Sequence, residues 1–140
     1  MIEVWTDGLC EPVNPASART ACLGFVIKRD GKTISEGSEV IGTGESMTNN
    51  VAEYTALIRV LERIRRLRLD KEKIVLMSDS QLVVGQMAWG WKVKKEHLLP
   101  LYTKAKILAA EMDVAFKLVP REENEEADKL CRLAYESRRL

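Results

Sequence analysis

The sequence predicts an α/β domain: a mixed five-stranded sheet, made of an antiparallel three-strand meander plus two parallel strands, with helices on both faces. Three observations carry this. The first third of the chain holds three strand-like segments separated by turn signals. Later, short apolar runs alternate with 3-and-4 helical periodicity, the pattern of strands joined by crossover helices. At 140 residues, with 46% hydrophobic and 31% charged content, the chain suits one core and one domain, 1–140, and neither a disordered nor a fibrous class.

The elements follow in order. Ile2-Glu3-Val4-Trp5-Thr6 alternates and meets Asp7-Gly8, which reads as a strand ending in a turn. Cys22 to Arg29 reads as the second strand. Asp30-Gly31 is a hairpin signal, and Thr33 to Ile41 returns as the third. From Thr48 to about Leu69, Leu57, Val60, Leu61, Ile64 and Leu67 fall on one helical face. Thr48, Asn49 and Asn50 are all capping types, which puts Glu53 in the first turn. Lys73 to Ser78 contains the apolar run of a buried strand, and a short helix to about Met87 follows Asp79-Ser80, with Asp79 as a candidate N-cap. A Trp/Lys-rich segment, 89–95, leads to a helix that starts near Pro100 and ends near Met112. Val114 to Val119 is the fifth strand, and Asn124 to about Arg138 is the last helix, with Ala127, Leu130, Cys131 and Ala134 inward. Crossovers of this kind make the later strands parallel neighbours.

Composition narrows the function. No apolar run approaches the roughly 20 residues of a membrane helix, and the N-terminus shows no export signal. Cys10, Cys22 and Cys131 form no CxxC pair, and His97 is the lone histidine, so a structural zinc site is not expected. Free thiols fit a reducing cytoplasm. The formal net charge of +1 hides a gradient: residues 1–47 carry net −3, residues 48–106 net +6 and residues 107–140 net −2. A basic middle between acidic flanks favours an anionic partner.

Docking the fourth strand parallel to the first brings Asp7 and Asp79 to adjacent strand ends, the edge where open α/β sheets place ligands. Glu53 and Asp128, each near a helix start, can converge on the same edge. Two carboxylates 4 Å apart repel by about 4 kcal/mol at an effective dielectric of 20. Four would need cations to stay ionised, and all-oxygen ligands suit magnesium. Two such ions about 3.5–4 Å apart can activate a water and stabilise the leaving oxygen of a phosphodiester. Taken singly, the same residues also read as a turn aspartate, helix caps and an acidic first helical turn.

The surrounding text separates these readings. Thr6-Asp7-Gly8, Asn14-Pro15, Thr48-Asn49-Asn50-Val51-Ala52-Glu53-Tyr54, Ser78-Asp79-Ser80-Gln81-Leu82-Val83, Trp91-Lys92-Val93-Lys94, Val119-Pro120-Arg121-Glu122 and Asn124-Glu125-Glu126-Ala127-Asp128-Lys129-Leu130 occur in that order. Together they resemble the type 1 ribonuclease H family from Val4 to about Ala134, most closely its compact archaeal and bacterial forms without a basic protrusion.

The resemblance implies a ribonuclease H-like fold and an endoribonuclease. Such an enzyme hydrolyses the RNA strand of an RNA/DNA hybrid, leaving 5′-phosphate and 3′-hydroxyl ends, with two Mg2+ ions per site that Mn2+ can replace. It implies Asp7, Glu53, Asp79 and Asp128 as catalytic carboxylates and metal ligands. Asn14, Asn49 and Gln81 match positions that read the minor groove or sugar edges. Thr48 matches a position holding a phosphate of the DNA strand, where a helix N-terminus suits an anion. Trp91, Lys92 and Lys94 match a segment along that strand, although Trp91 also reads as a half-buried core residue. The alternative is a non-catalytic module of the same fold that binds hybrids or double-stranded RNA. The expected protein is a cytoplasmic monomer with no membrane partner.

Three departures stand out. Ala16-Ser17-Ala18-Arg19-Thr20 replaces a stretch that is often glycine-rich. The loop before the last helix has no histidine; Arg121 takes roughly its place as a candidate for product release, and it cannot serve as a base at neutral pH. The absent protrusion leaves basic contacts to Lys92, Lys94, Lys95, Lys104 and Lys106.

Overall fold

A computed structural model describes residues 1–138; residues 139–140, the end of the expected 1–140 domain, lie outside the described residues. The strands are β1 (Ile2–Glu11), β2 (Thr20–Arg29), β3 (Lys32–Thr43), β4 (Lys73–Ser78) and β5 (Asp113–Leu118). The helices are α1 (Asn49–Arg66), α2 (Gln81–Ala88), α3 (Leu99–Ala110) and α4 (Glu125–Ser137). They build one sheet in the order β3-β2-β1-β4-β5. β1 pairs antiparallel with β2, and β2 with β3, while β1–β4 and β4–β5 are parallel. This is the expected meander plus two parallel strands.

Strand alternation sorts the two faces. Ile2 and Val4 of β1, with Leu23, Phe25 and Ile27 of β2, pack against Leu57, Leu61 and Ile64 of α1 in the main core. Leu9 and Cys22 point to the opposite face and meet Cys131 and Ala134 of α4. The hairpin turns at Asp30 and Gly31, both with positive φ (52° and 79°), as a tight turn matched to strand twist demands.

Three local expectations are corrected. Asp7-Gly8 is no turn: β1 continues to Glu11, paired with β2 throughout, from Ile2↔Arg29 to Glu11↔Thr20. Only the pairing with β4 stops, at Thr6↔Ser78, so Asp7 is the first β1 residue beyond the parallel ladder. Glu53 is not in the first turn of α1. Thr48 is the cap, its hydroxyl accepting from the Val51 amide at 3.1 Å, and Glu53 is therefore one turn further along. Asp79 does not cap α2. Ser80 does, accepting from the Val83 amide at 3.2 Å, so the Asp79 carboxylate is not used in the helix cap. β2 and β3 also outrun their expected ends, closing with a Thr20–Thr43 hydroxyl contact of 3.2 Å.

Candidate active site

Two glycines let the helices reach the centre of the sheet. A Cβ on Gly8 would lie 2.5 Å from the Ala52 carbonyl carbon and from the Glu53 amide nitrogen. A Cβ on Gly24 would lie 2.4 Å from the Ala127 carbonyl oxygen and 2.6 Å from the Cys131 amide nitrogen. Any larger residue would push α1 off one face or α4 off the other. Gly8 follows Asp7 in sequence, and Gly24 faces Asp7 across the β1–β2 ladder. The close approaches thus deliver Glu53 and Asp128 to Asp7 from both faces of the sheet.

Asp7, Glu53 and Asp79 each place a carboxylate oxygen within 4.8 Å of the others. Asp7 is 6% exposed. Burial, then the charge of Asp79, pushes its carboxyl up to about 8. Burial also raises Glu53 well above the carboxylate range, with Asp7 and then Asp79 adding repulsion. Asp79 rises through burial, opposed by hydrogen bonding from Asn124 and by the charge of Arg121. Glu53 Oε2 is buried without a hydrogen-bond partner. Three crowded, desolvated acids and an orphaned oxygen are what a hard cation would satisfy, and all the donors are oxygen. The residues present fit a divalent metal.

Asp128 lines the same cleft, of about 370 Å³, and its carboxylate adds to the upward push on the Asp7 carboxyl. It stands outside the tight triad. Arg132 Nε donates to its Oδ2 at 3.2 Å, and Glu11 lies 4.0 Å from the same guanidinium. Arg121, in a 3-10 turn over Arg121–Glu123, also lines the cleft. His97 is exposed in a separate turn before α3.

Comparison with known proteins agrees with this geometry. A family model described as reverse transcriptase-like matches residues 7–134. The chain is 37% identical over 113 residues to ribonuclease HI of Halobacterium salinarum, covering 79% of this chain and 54% of that protein. It is 39% identical over 99 residues to bifunctional protein Rv2228c of Mycobacterium tuberculosis, covering 70% of this chain and 26% of that one. The chain therefore spans about a quarter of the mycobacterial relative and about half of the halobacterial one. A crystal structure of LC11-RNase H1 in complex with RNA/DNA hybrid superposes with a TM-score of 0.86 at 34% identity, covering 97% of each chain. The crystal structure of RNase H1 from Halobacterium salinarum gives 0.83 at 34% identity, covering 96% of this chain and 97% of that one. This chain belongs to the type 1 ribonuclease H family.

In this ribonuclease H chain the other expected site residues fall into three places. Asn49 lines the carboxylate cleft, its side-chain oxygen accepting from the Cys10 amide at 3.1 Å so that its amide group is anchored to β1. Thr48 uses its hydroxyl oxygen as the α1 cap. Trp91, Lys92 and Lys94 line a neighbouring groove of about 460 Å³ with Lys95 and Gln86. Trp91 is 42% exposed, and its indole rests against Gly85 of α2, where a Cβ would approach it to 2.3 Å. It is thus half-buried against α2 and partly open to solvent. Gln81 is exposed at the start of α2, and Asn14 is exposed in the β1–β2 loop, and neither lines either cavity. That loop, where glycines are replaced, closes as a 3-10 turn over Ala16–Ala18, braced by Arg19 Nε donating to the Val13 carbonyl at 3.1 Å. Sequence reasoning missed Asn50, which lines both cavities, as well as Arg132 and Asn124. The first two carry helix spacing as their only signal, Arg132 lying four residues after Asp128.

Proposed function

We propose that this chain is one catalytic domain, an endoribonuclease that hydrolyses the RNA strand of RNA/DNA hybrids to 5′-phosphate and 3′-hydroxyl ends. The observation that carries this is the triad Asp7, Glu53 and Asp79, with carboxylate oxygens within 4.8 Å of one another and Glu53 Oε2 orphaned. Asp7, Glu53 and Asp79 would hold two divalent ions, Mg2+ with Mn2+ as substitute, and Asp128 would complete the set. When bound, the ions supply a water nucleophile at neutral pH and stabilise the leaving oxygen. The protein's own part is to hold the carboxylates in place, dry and pre-arranged.

The remaining roles follow from position. Thr48 and the N-terminus of α1 suit a phosphate of the DNA strand, since the hydroxyl keeps its proton for donation while its oxygen caps the helix. Asn49 and, further out, Asn14 and Gln81 suit sugar and minor-groove edges, where the 2′-hydroxyl distinguishes RNA. Trp91, Lys92 and Lys94 form a cationic, aromatic track for the second strand. Arg121, over the cleft, suits release of the charged product. The hybrid bound by LC11-RNase H1 supports this assignment of substrate. Three buried free thiols suit a reducing cytoplasm, and no helix among the described residues is long and apolar enough to cross a membrane. We read the protein as a monomer.

The test is incubation of the pure, folded protein with an end-labelled hybrid, double-stranded RNA and double-stranded DNA, with and without Mg2+ or Mn2+. Cleavage of the hybrid's RNA strand only with metal is expected. Hybrid binding without cleavage under either ion would instead identify a non-catalytic binding module.

A further inference from the structure

We infer that Asn124 is a positioning residue that locks Asp7 and Asp128 into one frame and thereby sets how tightly the site binds metal; this rests on the hydrolase reading above. Asn124 is 1% exposed. Its Nδ2 donates to the Thr6 carbonyl at 2.8 Å. Thr6 precedes Asp7 and is the last β1 residue paired with β4. At this edge the Ser78 carbonyl is taken by the Val119 amide at 2.9 Å, so Asn124 serves the corresponding carbonyl on β1.

The Asn124 backbone carbonyl in turn accepts from the Asp128 amide at 3.1 Å. One residue therefore ties the backbone beside Asp7 to the start of α4, which carries Asp128.

The position itself argues that this role is selected over helix stability. Asparagine is among the best N-caps, and Asn124 stands where α4 begins, yet its side chain makes no capping bond. It turns toward the sheet instead, leaving its Oδ1 buried and unpartnered among the described residues. A buried acceptor without a partner calls for an explanation other than stability. Groups that orient metal-binding carboxylates from behind supply one.

The experiment compares the wild-type protein with Asn124→Ala and Asn124→Asp. Mg2+ binding to the hybrid-free protein is measured by calorimetry, and hybrid cleavage is followed across Mg2+ concentrations, with circular dichroism as the check on folding. Asn124→Ala is expected to weaken Mg2+ binding by about 10–100-fold. It is also expected to raise the Mg2+ needed for half-maximal cleavage and to lower kcat, while KM for the hybrid stays within about twofold of wild type. Wild-type Mg2+ affinity in folded Asn124→Ala overturns the inference. Should that variant not fold, Asn124→Asp decides, since it keeps the shape and loses the donor: reduced kcat at unchanged KM supports the role, and wild-type kcat overturns it. Failure of the wild-type protein to cleave any hybrid would defeat the hydrolase reading, while the calorimetric comparison would still decide the role of Asn124.

Discussion

Gly24 of β2 lies directly opposite Asp7 of β1, and α4 rests on that glycine backbone to backbone. The missing side chain is what allows Asp128 to come within reach of the central carboxylate. Gly24→Ala inserts a methyl 2.4 Å from the Ala127 carbonyl oxygen, so α4 must shift. Destabilisation of about 1–3 kcal/mol is expected from overpacking, with a larger loss of cleavage than of folded protein. Gly8→Ala should act the same way through Glu53. Urea unfolding, combined with activity assayed where the variants are fully folded, checks this. Wild-type stability in Gly24→Ala would show that α4 does not depend on the contact.

The crowding of Asp7, Glu53 and Asp79 makes the metal-free protein sensitive to pH. Asp7 titrates near 8 in the folded protein and in the ordinary carboxylate range when unfolded. The folded state therefore binds more protons across that interval, and stability falls as pH rises from about 4 to about 8. Asp7→Asn removes the buried charge. It is expected to abolish cleavage while raising the Tm of the metal-free protein by about 3–6 °C at pH 8, with little gain at pH 4. Added Mg2+ should stabilise the wild-type protein more at pH 8 than at pH 5, because protons and metal compete for the same oxygens. Scanning calorimetry at these pH values decides; an equal gain at every pH would refute the account.

Lys92 and Lys94 are exposed beside Trp91, outside the carboxylate cleft. Their proposed part is long-range attraction and contact with phosphate. Replacing each by alanine should raise KM for the hybrid and reduce the salt slope of binding by about one unit per lysine, with kcat nearly unchanged. Fluorescence anisotropy across salt concentrations, under non-cleaving conditions, measures this. An unchanged slope in the double variant would remove these lysines from the interface.

Much of the architecture was legible because it rests on local patterns. Alternation in β1, the Asp30-Gly31 turn, the 3-and-4 spacing of α1 and the apolar run of β4 each bury a face that can be read from residue order. Boundaries were less legible where several residues could play one part. Thr48, Asn49 and Asn50 all suit a cap, and only the Thr48–Val51 hydrogen bond selects among them. Asp7-Gly8 has the composition of a turn, but the glycine serves the approach of α1. Asn124 has the composition of an N-cap, but its side chain serves the sheet edge.

By itself the sequence determined the element order and the residue types available for metal and phosphate, since periodicity, capping chemistry and ordered motifs are properties of neighbours in the chain. Only the tertiary structure decided which of the 21 acidic residues meet. Convergence of Asp7, Glu53 and Asp79 depends on a parallel ladder that stops at Thr6 and Ser78, and on α1 pressed against Gly8. The closeness of Asp128 depends on α4 pressed against Gly24. These contacts join residues far apart in sequence, and burial then gives the carboxylates the mutual repulsion that a cation would relieve.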